Sequence, residues 1–334
     1  MPYVASGTYG CIFKPSLGCS KTKGSSKKGK GAEGEVVGKL FTDSKEAEIE
    51  QRIHESIVHK VDPNGVFTIK LIDICEIKED ELTEDDGSDE CPLLFDRESG
   101  ISPAVYKQII YQYGGVSLDS YLKNELPTWA KFKRLLYALG PVFEGVSKLN
   151  KMGWVHQDIK PGNILIHDNG AFLIDFGLMT EVKKIYADAN NFVLNYPYPY
   201  YPPEFKLKAA DGSIDRFRKL VGENFDSMMN VKNRLIEVGV DFGHDLNACF
   251  ESAIKDPLKI DSYSLGVVLT CMFNWAYEHV IKKKRFMGVF VVLIQALCCQ
   301  DANKRATSEE AAVIYKQVLE TTVMSTVRSS SAAK

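Results

Sequence analysis

His156-Gln157-Asp158-Ile159-Lys160-Pro161-Gly162-Asn163, with Asp175-Phe176-Gly177 beginning twelve residues after Asn163, is the stretch on which the reading of the chain turns. It gathers two acids, an amide and a lysine at close spacing. Between the clusters lie two apolar runs, Ile164 to Ile166 and Phe172 to Ile174, separated by His167-Asp168-Asn169-Gly170. An Asn-Gly step between apolar runs is a strong hairpin signal, because both residues tolerate the positive φ of a tight turn. Such a hairpin brings Asn163 and Asp175 near each other at its open end. Oxygen donors of this kind suit a hard divalent cation, while a neighbouring carboxylate can orient a hydroxyl and a lysine can face an anion.

Outward from this stretch the chain changes character once. The first forty residues read as strands punctuated by glycine. Ser44 to Lys60 then carries Ile49, Ile53 and Ile57 at a spacing of four, which predicts a helix, and Asp43 with Glu46 has the form of a capping box at its start. Strands are predicted from Val66 to Cys75 and from Ala104 to Tyr111, before Gly114-Gly115 breaks the pattern. Helices follow at Leu118 to Asn124, Trp129 to Lys151, Ile260 to Phe273 and Phe286 to Cys299. The expectation is an α+β fold with a small β-rich lobe, residues 1–113, and a larger α-rich lobe, residues 114–320. A basic excursion at 16–34, an acidic one at 78–90 and an unassigned insertion at about 206–256 interrupt the lobes, and 321–334 reads as a flexible, frayed tail.

Composition bounds the function. The 334 residues are 45% hydrophobic and 25% charged, with a net charge of −3, so nothing general points to nucleic acid or an anionic membrane as a partner. The eight cysteines are scattered without a CxxC pair, which favours reduced thiols in an intracellular, cytoplasmic setting. No secretory leader is visible at the N-terminus. The longest apolar run, Val289 to Cys299, is interrupted by Gln295 and falls short of the ~20 residues that span a bilayer.

The segment from His156 to Gly177 resembles the catalytic loop and DFG motif of the eukaryotic protein kinases. That resemblance implies Asp158 as catalytic base, Lys160 at the transferred phosphate, and Asn163 with Asp175 on Mg²⁺, with ATP as phosphoryl donor and protein hydroxyls as acceptors. Lysine two residues after the catalytic Asp is the serine/threonine pattern. Ala5-Ser6-Gly7-Thr8-Tyr9-Gly10-Cys11-Ile12 resembles the glycine-rich loop, with Ala5 replacing its first glycine and Tyr9 at the tip, so Ala5, Gly7, Tyr9, Gly10 and Ile12 are expected around the nucleotide. Lys39, in Val36-Val37-Gly38-Lys39, matches the lysine that grips the α- and β-phosphates. Glu50 is its expected partner because it shares a helix side with Ile53 and Ile57; Glu46 is the rival. Tyr111-Gln112-Tyr113 resembles the adenine-binding hinge, with Tyr111 as gatekeeper.

Pro202-Pro203-Glu204, Asp261 and an Arg305 expected to pair with Glu204 extend the resemblance from about Tyr3 to Thr307, and the compact N-terminus with long insertions is similar to kinases of large DNA viruses, where a virion location would apply. Two departures matter. Gln157 stands where arginine is usual, and between Leu178 and Tyr201 the later part has no serine or threonine. A pseudokinase scaffold and a small-molecule phosphotransferase are the competing readings; retention of Lys39, Asp158, Asn163 and Asp175 weighs against the first, and the Pro202-Pro203-Glu204, Asp261 and Arg305 positions against the second.

Overall fold

The computed structural model describes residues 3–7, 10–19, 35–83, 85, 87–94, 104–168, 170–188, 200, 202, 258–280, 287–299 and 301–331, without the side chains of 186–188, 287 and 322–331. Tyr9, Glu204 and the insertion at 206–256 lie outside the described residues, as does most of the basic excursion. The chain divides into two compact units, Met1–Gly114 and Gly115–Lys334. A β-sheet dominates the first and helices the second, which makes the fold α+β.

In the first unit, β1 (Tyr3–Ser6), β2 (Gly10–Phe13), β3 (Val36–Phe41), β4 (Leu71–Lys78) and β5 (Val105–Gln112) form one sheet in the order β1-β2-β3-β5-β4. Every pairing is antiparallel. The helix α1 (Ser44–Ile53) starts at Asp43, whose side chain accepts from the Lys45 N–H at 2.8 Å. It passes without a break into a π-helical turn, His54–Val58, and a last turn, His59–Val61. Its buried face is Ala47, Glu50, Ile53, His54 and Val58, so the isoleucine stripe expected to define that face lies partly at its edge.

The strand expected from Val66 begins only at Leu71. The buried Asp62 carboxylate accepts from the backbone N–H groups of Val66, Phe67 and Thr68 and from the Thr68 hydroxyl, at 2.7–2.9 Å. Those donors are therefore withdrawn from a continuous strand, and the stretch keeps only an isolated bridge at Thr68.

Four cysteines are not reduced thiols: Cys11 bonds to Cys91 and Cys19 to Cys75. The expectation failed because partners 80 and 56 residues apart leave no local spacing signal. Cys11 and Cys91 sit in a buried cluster with Phe13, Leu17, Leu40, Ile77 and Tyr106, which roots the acidic excursion in the sheet. Gln108 makes the corresponding anchor for the basic excursion. Fully buried, it accepts from the Leu17 N–H at 2.9 Å and donates to the Leu17 carbonyl at 3.0 Å, and a side chain on Gly38 would strike its amide.

The second unit opens with β6 (Val116–Ser117), α2 (Leu118–Asn124) and α3 (Trp129–Lys151). The strands β7 (Trp154–Val155), β8 (Ile164–His167), β9 (Gly170–Leu173) and β10 (Thr180–Glu181) follow, then α4 (Val182–Asp188). Among the described residues three longer helices follow: α5 (Lys259–Tyr277), α6 (Met287–Leu297) and α7 (Ser308–Ser331). Most of α5 is buried, which explains an apolar composition that runs around the helix rather than along one stripe. The backbone of the segment expected as a frayed tail is helical to Ser331, as part of α7. Ala311, Tyr315 and Val318 bury its first turns, Tyr315 stacks on Phe143 of α3 at 4.0 Å, and no Pro or Gly follows to stop it.

Candidate active site

The first unit contains an ion pair. Lys39, mid-strand in β3, places Nζ 2.6 Å from Glu50 Oε2, with both side chains largely buried. The tertiary partner of Lys39 is thus Glu50. Glu46, one turn earlier, is only partly buried, and its carboxyl is pushed above the ordinary range by burial and by the negative Asp43 and Glu50, against a smaller pull from Lys39. Such a pair contributes little net stability, since desolvation offsets its Coulomb attraction, but removing one partner strands the other at a cost of about 3–5 kcal/mol. Its value is geometric.

The glycine-rich segment turns on a bond from the Gly7 N–H to the Gly10 carbonyl at 2.9 Å. A Cβ at Gly10 would lie 2.2 Å from the Leu40 carbonyl, so strand packing alone forbids a side chain there, whereas a Cβ at Gly7 would make only an ordinary contact, 3.8 Å, with the Gly10 carbonyl. Ala5 pairs with Ile12 across β1 and β2. At the other edge, the N–H groups of Gln112 and Tyr113 are engaged by the carbonyls of Lys70 and Glu35, both at 2.9 Å. Lys14 lies 3.3 Å above the Tyr113 ring. Tyr111 turns its side chain into the interior and donates to Glu50 Oε1 at 2.7 Å.

The second unit contains the acids of the catalytic-loop and DFG resemblance. The loop after β7 is suspended from Asp261 of α5, which is fully buried and accepts from the N–H of His156 at 2.9 Å, from that of Gln157 at 3.0 Å and from the Asn150 amide at 2.9 Å. Burial pushes the Asp261 carboxyl up; these donors pull the other way. His156 Nδ1 accepts from the Asp158 N–H at 3.2 Å, which leaves Nε2 as the donor to the Ile174 carbonyl, also at 3.2 Å. One imidazole thereby ties the loop to the far side of the hairpin, and its ring packs on Phe176 at 5.1 Å.

Asp158, 6% exposed, is held by its own neighbours. Lys160 Nζ lies 2.9 Å from Oδ2, and the Asn163 amide donates to the same oxygen at 2.7 Å and to the Asp158 carbonyl at 2.9 Å. Since the nitrogen end of Asn163 is committed to Asp158, its oxygen end is the one a cation would find. β8 and β9 pair from His167↔Gly170 to Ile164↔Leu173, and the Ile174 N–H donates to the Asn163 carbonyl at 3.0 Å. The open end of the hairpin therefore carries Asn163 on one strand and Asp175 just beyond the other. Asp175 adopts φ 63°, a left-handed conformation unusual for a residue with a side chain. An amide oxygen and a carboxylate are hard donors that fit Mg²⁺.

Gln157, 1% exposed and also at positive φ, donates its amide to the Leu178 carbonyl at 2.8 Å. Its Oε1 has no hydrogen-bond partner among the described residues. Exchanging the two ends would set oxygen against the Leu178 carbonyl, so the orientation is fixed.

Residues 109–213 match the protein kinase domain. The chain is similar to the eIF-2-alpha kinase GCN2 of Schizosaccharomyces pombe, 30% identical over 61% of this chain and 11% of that protein. It is similar also to the dual specificity protein kinase Ttk of Danio rerio, 33% identical over 35% of this chain and 11% of that one. With the serine/threonine-protein kinase PknL of Mycobacterium tuberculosis it shares 37% identity over 32% of this chain and 29% of the relative. The chain thus spans about a tenth of the first two relatives and under a third of the last. The matched region takes in Asp158, Lys160, Asn163 and Asp175; Lys39 and Glu50 lie before it. Sequence reasoning named Tyr111 for the hinge but missed the reach of its hydroxyl to Glu50, and it missed His54 behind it, which carries no motif.

Proposed function

We propose that this chain is an ATP-dependent protein kinase acting on serine and threonine hydroxyls. The observation that carries the reading is the single constellation at the hairpin end, where Lys160 and Asn163 both bind the Asp158 carboxylate and Asn163 shares that end with Asp175. In this reading Asp158 accepts a hydrogen bond from the substrate hydroxyl and orients it for attack, while Lys160 lies ready for charge on the transferred group. Asn163 and Asp175 would hold Mg²⁺, which when bound neutralises phosphate charge. Lys39, fixed by Glu50, would grip the phosphates. Ala5, Gly7, Tyr9, Gly10 and Ile12 would cover the nucleotide, and Tyr111, Gln112 and Tyr113 would border adenine.

The division of labour is testable in one substitution. Asp158→Asn keeps the size of the side chain and its contact with Lys160 while removing the negative charge, so Mg-ATP affinity should stay within a few-fold of wild type and kcat should fall at least ~100-fold. Nucleotide titration and initial rates on a mixed protein substrate are measured side by side. Full turnover in Asp158→Asn would overturn the assignment.

A further inference from the structure

The inference concerns Glu50 and rests on the kinase reading above. Tyr111 stands in β5, opposite Val37 of β3 and Leu71 of β4, and is 4% exposed. Its hydroxyl reaches across 61 residues of sequence to Glu50 Oε1 at 2.7 Å, while Lys39 occupies Oε2 at 2.6 Å. His54, four residues beyond Glu50 at the first position of the π-helical turn, lays its ring on that of Tyr111 with centroids 5.3 Å apart. Glu50 is therefore gripped by a different strand at each oxygen. A carboxylate bonded through one oxygen can still turn about its terminal torsion, which is broad and soft; a second donor on the other oxygen fixes its plane.

We propose that Tyr111 is a positioning residue for phosphoryl transfer: its hydroxyl locks Glu50 so that Glu50 in turn holds Lys39 where phosphates are gripped. Phenylalanine would fill the same volume and keep the tilted ring contact with His54, but it would leave Oε1 buried and short of a donor, and a buried group in that state drives rearrangement.

The experiment is a double-mutant cycle on the full chain, with Tyr111→Phe, Glu50→Gln and both together, reading kcat and KM for ATP. Tyr111→Phe is expected to lower kcat/KM roughly 10- to 100-fold, on the scale of a hydrogen bond to a buried charge, and to add less than about 3-fold to the loss in Glu50→Gln. Equal losses in both backgrounds would mean that the ring merely packs, and the proposal fails. A crippled Glu50→Gln beside a full-rate Tyr111→Phe would sink the proposal and leave the kinase reading standing. A second readout is independent of turnover: acylation of Lys39 by an amine-reactive reagent, followed by mass spectrometry, should quicken several-fold in Tyr111→Phe. No change there overturns the proposal even if wild type transfers no phosphoryl group, an outcome that would dispose of the kinase reading separately. Should Tyr111→Phe not fold, Tyr111→His, which keeps a ring N–H donor, is expected to retain more of the wild-type rate and slower Lys39 labelling than Tyr111→Leu.

Discussion

Gln157 shows how a single side chain can replace a regulatory contact. An arginine at this place could take a phosphate in a bidentate, charge-assisted grip; a neutral amide cannot. What it does instead is bind the Leu178 carbonyl directly, three residues after Asp175. The start of the segment that runs on from Leu178 is thus tied to the loop of Gln157 and Asp158 by a bond that needs no phosphate. We predict that basal phosphoryl transfer survives treatment with a broad phosphatase, checked by mass spectrometry and initial rates. A large loss restored only by rephosphorylation between Leu178 and Tyr201 would refute this. At this scale the site was legible wherever its members are neighbours in sequence: Asp158, Lys160, Asn163 and Asp175 fall within eighteen residues because one loop and one hairpin carry them. Nothing in sequence could join Tyr111 to Glu50, or Asn150 to Asp261 across 111 residues, since those bonds exist only after the elements pack.

Among the elements, α1 and its π-helical continuation were legible as a helix, and the face shared by Glu50 and Ile53 is buried as that spacing implied. The isoleucines gave no sign of His54, which the structure also buries, while Ile49 and Ile57 lie at the edge of the face. Burial, with a smaller push from Lys39, lowers the His54 pKa to about 4, against 6.5 for the free side chain. The sign follows directly: above pH 6.5 both folded and unfolded His54 are neutral and the stability is whole, whereas between 6.5 and about 4 only the unfolded chain takes the proton. Stability should therefore fall as the pH is lowered through this window, by about 3 kcal/mol in total if the full shift is expressed. Denaturant melts of wild type and His54→Gln at pH 7, 5.5 and 4.5 test it, and the variant should show the shallower slope. Equal slopes would assign the acid sensitivity to other groups. Where the sequence misplaced a boundary, as at Val66, the cause was a side chain, Asp62, that captured backbone donors before a strand could.

For the whole molecule, the order from a β-rich to a helical unit was readable from the periodicity on either side of Gly114-Gly115, and the division falls after Gly114. The long-range covalent links were not. Each closes a loop, of 80 and 56 residues, to which the chain-entropy model assigns about 4 kcal/mol, so dithiothreitol should lower the melting temperature of the first unit by at least several degrees. Cys91→Ser should reproduce part of that shift without reductant; an unchanged melt would show that the links carry no stability. The sheet order has a consequence for synthesis on the ribosome. Among the described residues β4 lies at an edge, and its neighbour, β5, is made some thirty residues later and inserts between β3 and β4. Until Gln112 has cleared the exit tunnel, the edges of β3 and β4 that β5 covers stay unpaired, and any pause in translation before that point would hold open a surface to which another nascent chain could add a strand.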